Sequence, residues 1–161
     1  MMRDLAGNGG VCMINFFPAF ISDDIALALA SAPKRSMNET GAPDEPIDDA
    51  SEWASYVEWF NTVAPRATLD QVVDHIVHAA TIAGIDHVGI GSDFDGVPAL
   101  PDGIENAALL PRLTDRLIDR GVAERDIEKI LGGNFMRVFD AVEAGRIDSY
   151  KTFDVPSHTV S

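Results

Sequence analysis

Residues 85–96 read IDHVGIGSDFDG, and their pattern decides the fold class. The alternation predicts a short buried strand that ends in an acidic turn. Side chains alternate along a strand, so Val88 and Ile90 share one face while Gly89, Gly91 and Asp93 share the other. Two glycines followed by a carboxylate predict a crowded inner side and a strand end that presents Asp93 to a site. In parallel α/β folds, ligands and chemistry gather at the C-terminal ends of strands. Asp95 and Gly96 then turn the chain, and Pro98 and Pro101 hold the next segment extended.

Upstream, residues 1–6 read as the closing turns of a helix that residues 7–10 stop. Residues 11–17, VCMINFF, form the other predicted strand. Its nearly continuous apolar run suits a parallel strand covered on both faces. Asn15 is its one polar member. A bond to neighbouring backbone is expected of it, with a place in a site at the strand's end as the alternative. Cys12 is the only cysteine. It therefore makes no intrachain disulfide and no cysteine zinc site, and it reads as an inert buried thiol. Pro18 ends the strand. Residues 19–32 predict a helix capped by Ser22 or Asp23. Residues 31–49 read as an exposed loop whose Asp44, Glu45, Asp48 and Asp49 are solvated.

Helical spacing marks most of residues 51–145. Trp53, Tyr56, Val57 and Phe60 form a packing stripe over residues 51–62. Thr68 and Gln71 match a capping box, and the stripe Leu69, Val72, Val73, Ile76, Val77 and Ala80 runs from it to a stop at Gly84. His75 and His78 sit three apart on that helix. They can share a metal, but bonds to backbone or water beside the stripe are the expectation. Leu109, Leu110, Leu113, Leu117 and Ile118 predict a helix ending at Gly121. A short helix over residues 123–131 is expected to break at Gly132 and Gly133. Asn134 reads as the N-cap of a last helix, striped by Phe135, Val138, Phe139 and Val142 and ended by Gly145. Residues 146–161, His158 among them, form a polar tail.

The order strand, helices, strand, helices predicts an α/β class with parallel pairing. Hydrophobic residues make up 46% of the 161, enough for a core, and the net charge is −14. Such a charge repels nucleic acid and anionic membranes, which are excluded as partners. No apolar run is long enough to span a bilayer and no signal peptide is evident, so a cytoplasmic location is expected. Gly89-Ile90-Gly91 is not a dinucleotide loop, because Phe94 takes the third glycine's place and the turn is acidic.

Three strings in this order, GGVCMINFFPAF (9–20), VGIGSDFDG (88–96) and ILGGNFMRVFDAVE (130–143), resemble the renal or membrane dipeptidase family of zinc metallopeptidases. The resemblance implies a partial (β/α)₈ TIM barrel: residues 1–145 would be its last two β/α units plus the C-terminal helices, a fragment of a longer domain. By the same match Asp93 is the catalytic residue, handling the proton of a metal-bound water. Asp95 is the alternative, and the residues alone suggest an ordinary turn bonded by its aspartates. His87, at the barrel end away from chemistry, is assigned a structural role. The implied Zn²⁺ centre is binuclear, held by a His-x-Asp pair, a bridging Glu and two further His. All of these are absent here, so no metal ligand is assigned and the chain alone is expected to be inactive. Phe17 stands where the family often has an aromatic hydroxyl, which removes an expected substrate bond. Dipeptides are the implied substrates, and a homodimer is allowed. The alternatives are a non-catalytic fragment or interaction subunit that completes a barrel in trans, and an amidohydrolase-type barrel. The FDG turn and the GGNFMRVF helix argue against the last.

Overall fold

In this computed structural model, residues 1–32 and 50–146 are described. Two short strands, β1 (Cys12–Asn15) and β2 (Val88–Ser92), pair in parallel, with Cys12 opposite Val88 and Ile14 opposite Ile90. Helices α1 (Met2–Gly7), α2 (Pro18–Ile21), α3 (Asp23–Ser31), α4 (Ala50–Val63) and α5 (Leu69–Ala83) precede β2. Helices α6 (Leu110–Asp119), α7 (Glu124–Glu128) and α8 (Asn134–Arg146) come after it. The class is helix-rich α/β with a small parallel sheet, as the pattern of residues 85–96 predicts.

Helix α5 carries the packing. Its capping box forms as predicted: Thr68 Oγ1 accepts from the Gln71 backbone N–H at 3.3 Å, and Gln71 Oε1 accepts from the Thr68 N–H at 2.9 Å. Gly84 closes the helix at φ 91°, a value that favours glycine. Between these ends, Val72, Val73 and Ile76 are fully buried against Ile14, Phe16, Val88, Leu113 and Leu117. Each such side chain contributes on the order of 1.5–3 kcal/mol. A second cluster joins Phe17, Ile25 and Leu29 to Tyr56 and Phe60 of α4. It uses the predicted aromatic stripe as packing. Among the described residues no helix is long and apolar enough to cross a membrane.

Several elements differ from expectation. Strand β1 is shorter than residues 11–17 and is covered on one face, with Ile14 buried and Met13 exposed. The expected helix over residues 19–32 is two helices, and Pro18 opens the first rather than merely ending the strand. Ser22 between them is extended. Its hydroxyl makes no cap bond but accepts from the half-buried Gln71 Nε2 at 3.3 Å. The break expected at the two glycines is present: Gly132 takes φ 174° and ψ −24°, outside the helical range, and kinks the turn Lys129–Gly133 between α7 and α8.

Asn134 is the first residue of α8 and not its cap. It is 3% exposed with helical backbone, and its Nδ2 donates to the carbonyls of Ile85 at 2.7 Å and Val88 at 2.8 Å. The carbonyls where a 3₁₀ turn (Ile85–His87) enters β2 need donors, and Asn134 reaches both. Ile118 is exposed although it belongs to the α6 stripe. Phe135, Phe139 and Val142 are exposed on α8, which runs through Gly145 to Arg146. The acidic residues 44–49, most of the predicted loop and the tail beyond residue 146 lie outside the described residues.

Candidate active site

The C-terminal ends of β1 and β2 meet at a bulge. Pairing passes from Ile14–Ile90 to Asn15–Ser92 and leaves Gly91 as an extra residue on β2. A Cβ at Gly91 would lie 3.1 Å from the carbonyl oxygens of both Met13 and Ile14. The crowding predicted for this face is backbone at Gly91 and the Met13 side chain at Gly89, where a Cβ would lie 2.7 Å from Met13 Sδ. Beyond it the Phe16 N–H donates to Ser92 O at 2.9 Å. Ser92 and Asp93 then take φ values of 46° and 72°. Such left-handed backbone is uncommon outside glycine and concentrates at functional sites. The bulge and this reversal end the alternation at Ser92. Asp93 does not continue the face of Gly89 and Gly91 but stands beyond the strand.

Asp93 is exposed, and its Oδ2 accepts a hydrogen bond from Asn15 Nδ2 at 2.8 Å. Asn15 Oδ1 in turn accepts from the Phe17 N–H at 2.7 Å. Asn15 therefore makes the backbone bond expected of it and in addition reaches Asp93 at the strand's end. The Gly96 N–H donates to Asp93 O at 3.2 Å, and a Cβ on Gly96 would collide with Asp93 Oδ1. Phe94 leaves the turn inward and meets Phe16 edge-on, with ring centroids 5.8 Å apart. Asp95 is exposed, and among the described residues its side chain has no hydrogen-bond partner. An exposed carboxylate can accept and return a proton.

The histidines lie elsewhere. His87 Nδ1 sits 2.8 Å from Gly10 O at the opposite end of β2, the structural role expected of it. Arg137 donates there to the carbonyls of Gly9 at 2.7 Å and Asp86 at 2.8 Å. Lys129 hydrogen-bonds the Asp86 carboxylate at 2.6 Å and holds it below the usual carboxylate range. His75 and His78 line an open groove of about 390 Å³ with Ser22, Asp23, Asp24 and Asp74. Burial, and secondarily the charge of His78, lowers the His75 pKa. Among the described residues no group of three or more His, Cys, Asp or Glu is placed to hold a metal ion.

These features define a helix-rich α/β protein with an aspartate held at the C-terminal ends of parallel strands. The sequence model of the membrane dipeptidases (peptidase family M19) matches residues 1–151, and the chain belongs to that family. The dipeptidase tcpJ of Claviceps purpurea is 32% identical over 136 residues, which are 81% of this chain and 31% of tcpJ. The dipeptidase verJ of Clonostachys rogersoniana is 38% identical over 99 residues, 62% of this chain and 26% of verJ. The crystal structure of the probable dipeptidase PvdM from Pseudomonas aeruginosa superposes with a TM-score of 0.64 at 28% identity, covering 89% of this chain and 40% of PvdM. The chain thus spans under a third of the length of these two curated relatives.

Proposed function

We propose that this chain supplies the proton-handling carboxylate of a dipeptidase, Asp93, on the last two β/α units of a (β/α)₈ barrel. The observation that carries the reading is the hydrogen bond that holds Asp93 to Asn15 at the C-terminal ends of two paired strands. The family match over residues 1–151 supports it. In dipeptide hydrolysis a water oxygen bonds to the peptide carbonyl carbon, the C–N bond breaks, and a proton from the water ends on the leaving amine. Asp93 takes that proton and returns it to the nitrogen. The substrate in this reading is a dipeptide.

The family resemblance implies a binuclear zinc centre that polarises the carbonyl and activates the water. Zinc takes three or four protein donors. The described residues bring no such set together and do not fit that centre. The donors in this reading are other residues than those described, and the chemistry assigned to this chain is the proton transfer at Asp93.

A second reading, a non-catalytic subunit that completes a barrel in trans, is favoured by the apolar face of α8. Phe135, Met136, Phe139 and Val142 are all exposed there. One experiment separates the two. A preparation in which this chain is part of a complete barrel is assayed for hydrolysis of L-Ala-L-Ala with Asp93 and with Asp93→Asn. Hydrolysis that Asp93→Asn abolishes supports the catalytic reading. Hydrolysis that Asp93→Asn leaves unchanged supports the second.

A further inference from the structure

We propose that Asn15 is a positioning residue for Asp93: its side-chain amide, fixed to β1, aims the aspartate from a left-handed turn that the residues of the turn do not hold by themselves. This rests on the reading of Asp93 as the proton carrier and adds the group that places it.

The turn is disfavoured by its own sequence. Ser92 and Asp93 are consecutive residues at φ 46° and 72°. Side chains other than glycine seldom take such backbone, and serine lacks even the tolerance that aspartate has. An aspartate in a turn ordinarily offsets this by bonding backbone two residues on. Asp93 makes no such bond. Among the described residues its carboxylate has one hydrogen-bond partner, Asn15 Nδ2 at 2.8 Å. Inside the turn only backbone is joined, the Gly96 N–H donating to Asp93 O at 3.2 Å.

The rest of the hold comes from the end of β1. The Phe16 N–H donates to Ser92 O at 2.9 Å, and the Phe16 ring meets Phe94 edge-on. These contacts fix the residues on either side of Asp93 but make no bond to its carboxylate. Asn15 supplies that bond from a rigid post. It lies between Ile14 and Phe16, which are 4% and 0% exposed, and its Oδ1 accepts from the Phe17 N–H at 2.7 Å. The amide is thus fixed through its backbone and its oxygen before Nδ2 reaches Asp93. A proton carrier must sit within hydrogen-bond reach of the proton it moves, and a misplacement of about 1 Å can cost about 10²-fold in rate.

The test separates aiming from stapling. Asn15→Asp keeps an acceptor for the Phe17 N–H and removes the donor to Asp93. In NMR of the whole chain, the Phe17 amide is expected to stay protected, while the Asp93 Hα–Hβ couplings move from a single-rotamer pattern to an averaged one. In a preparation where this chain is part of a complete barrel, the variant is expected to lower kcat for L-Ala-L-Ala about 10²-fold and to leave KM unchanged. Unchanged couplings, or an unchanged kcat, would overturn the proposal and leave Asn15 a staple of the Phe17 backbone. Asn15→Ser, whose shorter hydroxyl can still accept from the Phe17 N–H, repeats the test without an added charge and decides it should Asn15→Asp not fold. Hydrolysis that Asp93→Asn leaves unchanged would instead overturn the catalytic reading, and the couplings would still report the hold.

Discussion

Asn15 donates from Nδ2 to Asp93 Oδ2 at 2.8 Å and so ties together the ends of two strands that lie 78 residues apart in sequence. The bond is local to the site and remote in the chain. It accounts for a polar residue at the end of an otherwise apolar strand. Asp93→Asn retains an acceptor for that bond but cannot carry a proton. In whichever preparation hydrolyses dipeptides, this variant is expected to lower kcat by about 10²–10⁴-fold, the usual worth of a general acid–base group. Circular dichroism should show an unchanged fold.

Asn134 offers a test of the opposite end of β2. Its two donated bonds satisfy the carbonyls of Ile85 and Val88. Asn134→Ala leaves these acceptors without their donor and is expected to cost about 1–3 kcal/mol. Asn134→Asp should cost more, since it sets a carboxylate against two carbonyl oxygens. Urea midpoints of the three proteins check the order, and an alanine variant as stable as the parent would refute the clamp.

His75 predicts a dependence of stability on pH. Its pKa is lowered from 6.5, first by burial and then by the charge of His78. Asp23, Asp24 and Asp74 line the same groove. The unfolded chain therefore binds the His75 proton more readily than the folded one. Stability from this group is present above 6.5 and is lost as the pH falls through 6.5 toward the lowered folded value. His75→Gln should flatten the fall in thermal midpoint between about pH 7 and about pH 5. An unchanged profile would assign the dependence to other groups.

The apolar face of α8 predicts association. Phe135 and Phe139 are 46% and 50% exposed, and their rings stack with centroids 6.2 Å apart. Contiguous apolar surface of this kind drives contact with other molecules. Sedimentation velocity should show a weight that rises with concentration, and Phe135→Glu with Phe139→Glu should suppress that rise. A monomer at all concentrations would count against the face as a sticky surface.

Local patterns are legible where their causes are local. The Thr68–Gln71 capping box, the buried stripe of α5, the stop at Gly84 and the aromatic packing of Tyr56 and Phe60 all appear as the spacing predicts. Asn134 reads as a cap in the sequence because helix-capping preference describes only neighbouring backbone. Its actual partners lie 49 and 46 residues away. The α8 stripe is legible as one face of a helix, yet periodicity shows only which residues share a face, and not whether anything covers it.

The amino-acid sequence by itself determined the α/β class and the parallel order of its elements, since alternation, helical period and turn chemistry each act within about ten residues, whereas Asp93 as a candidate came from the family resemblance of its motif. Only the tertiary structure decided that Asn15 meets Asp93, that a bulge at Gly91 throws Asp93 clear of the strand, and that one face of β1 stays open. Those outcomes depend on the register between two strands distant in sequence, whose ends place together residues 78 positions apart, a relation that no local pattern encodes.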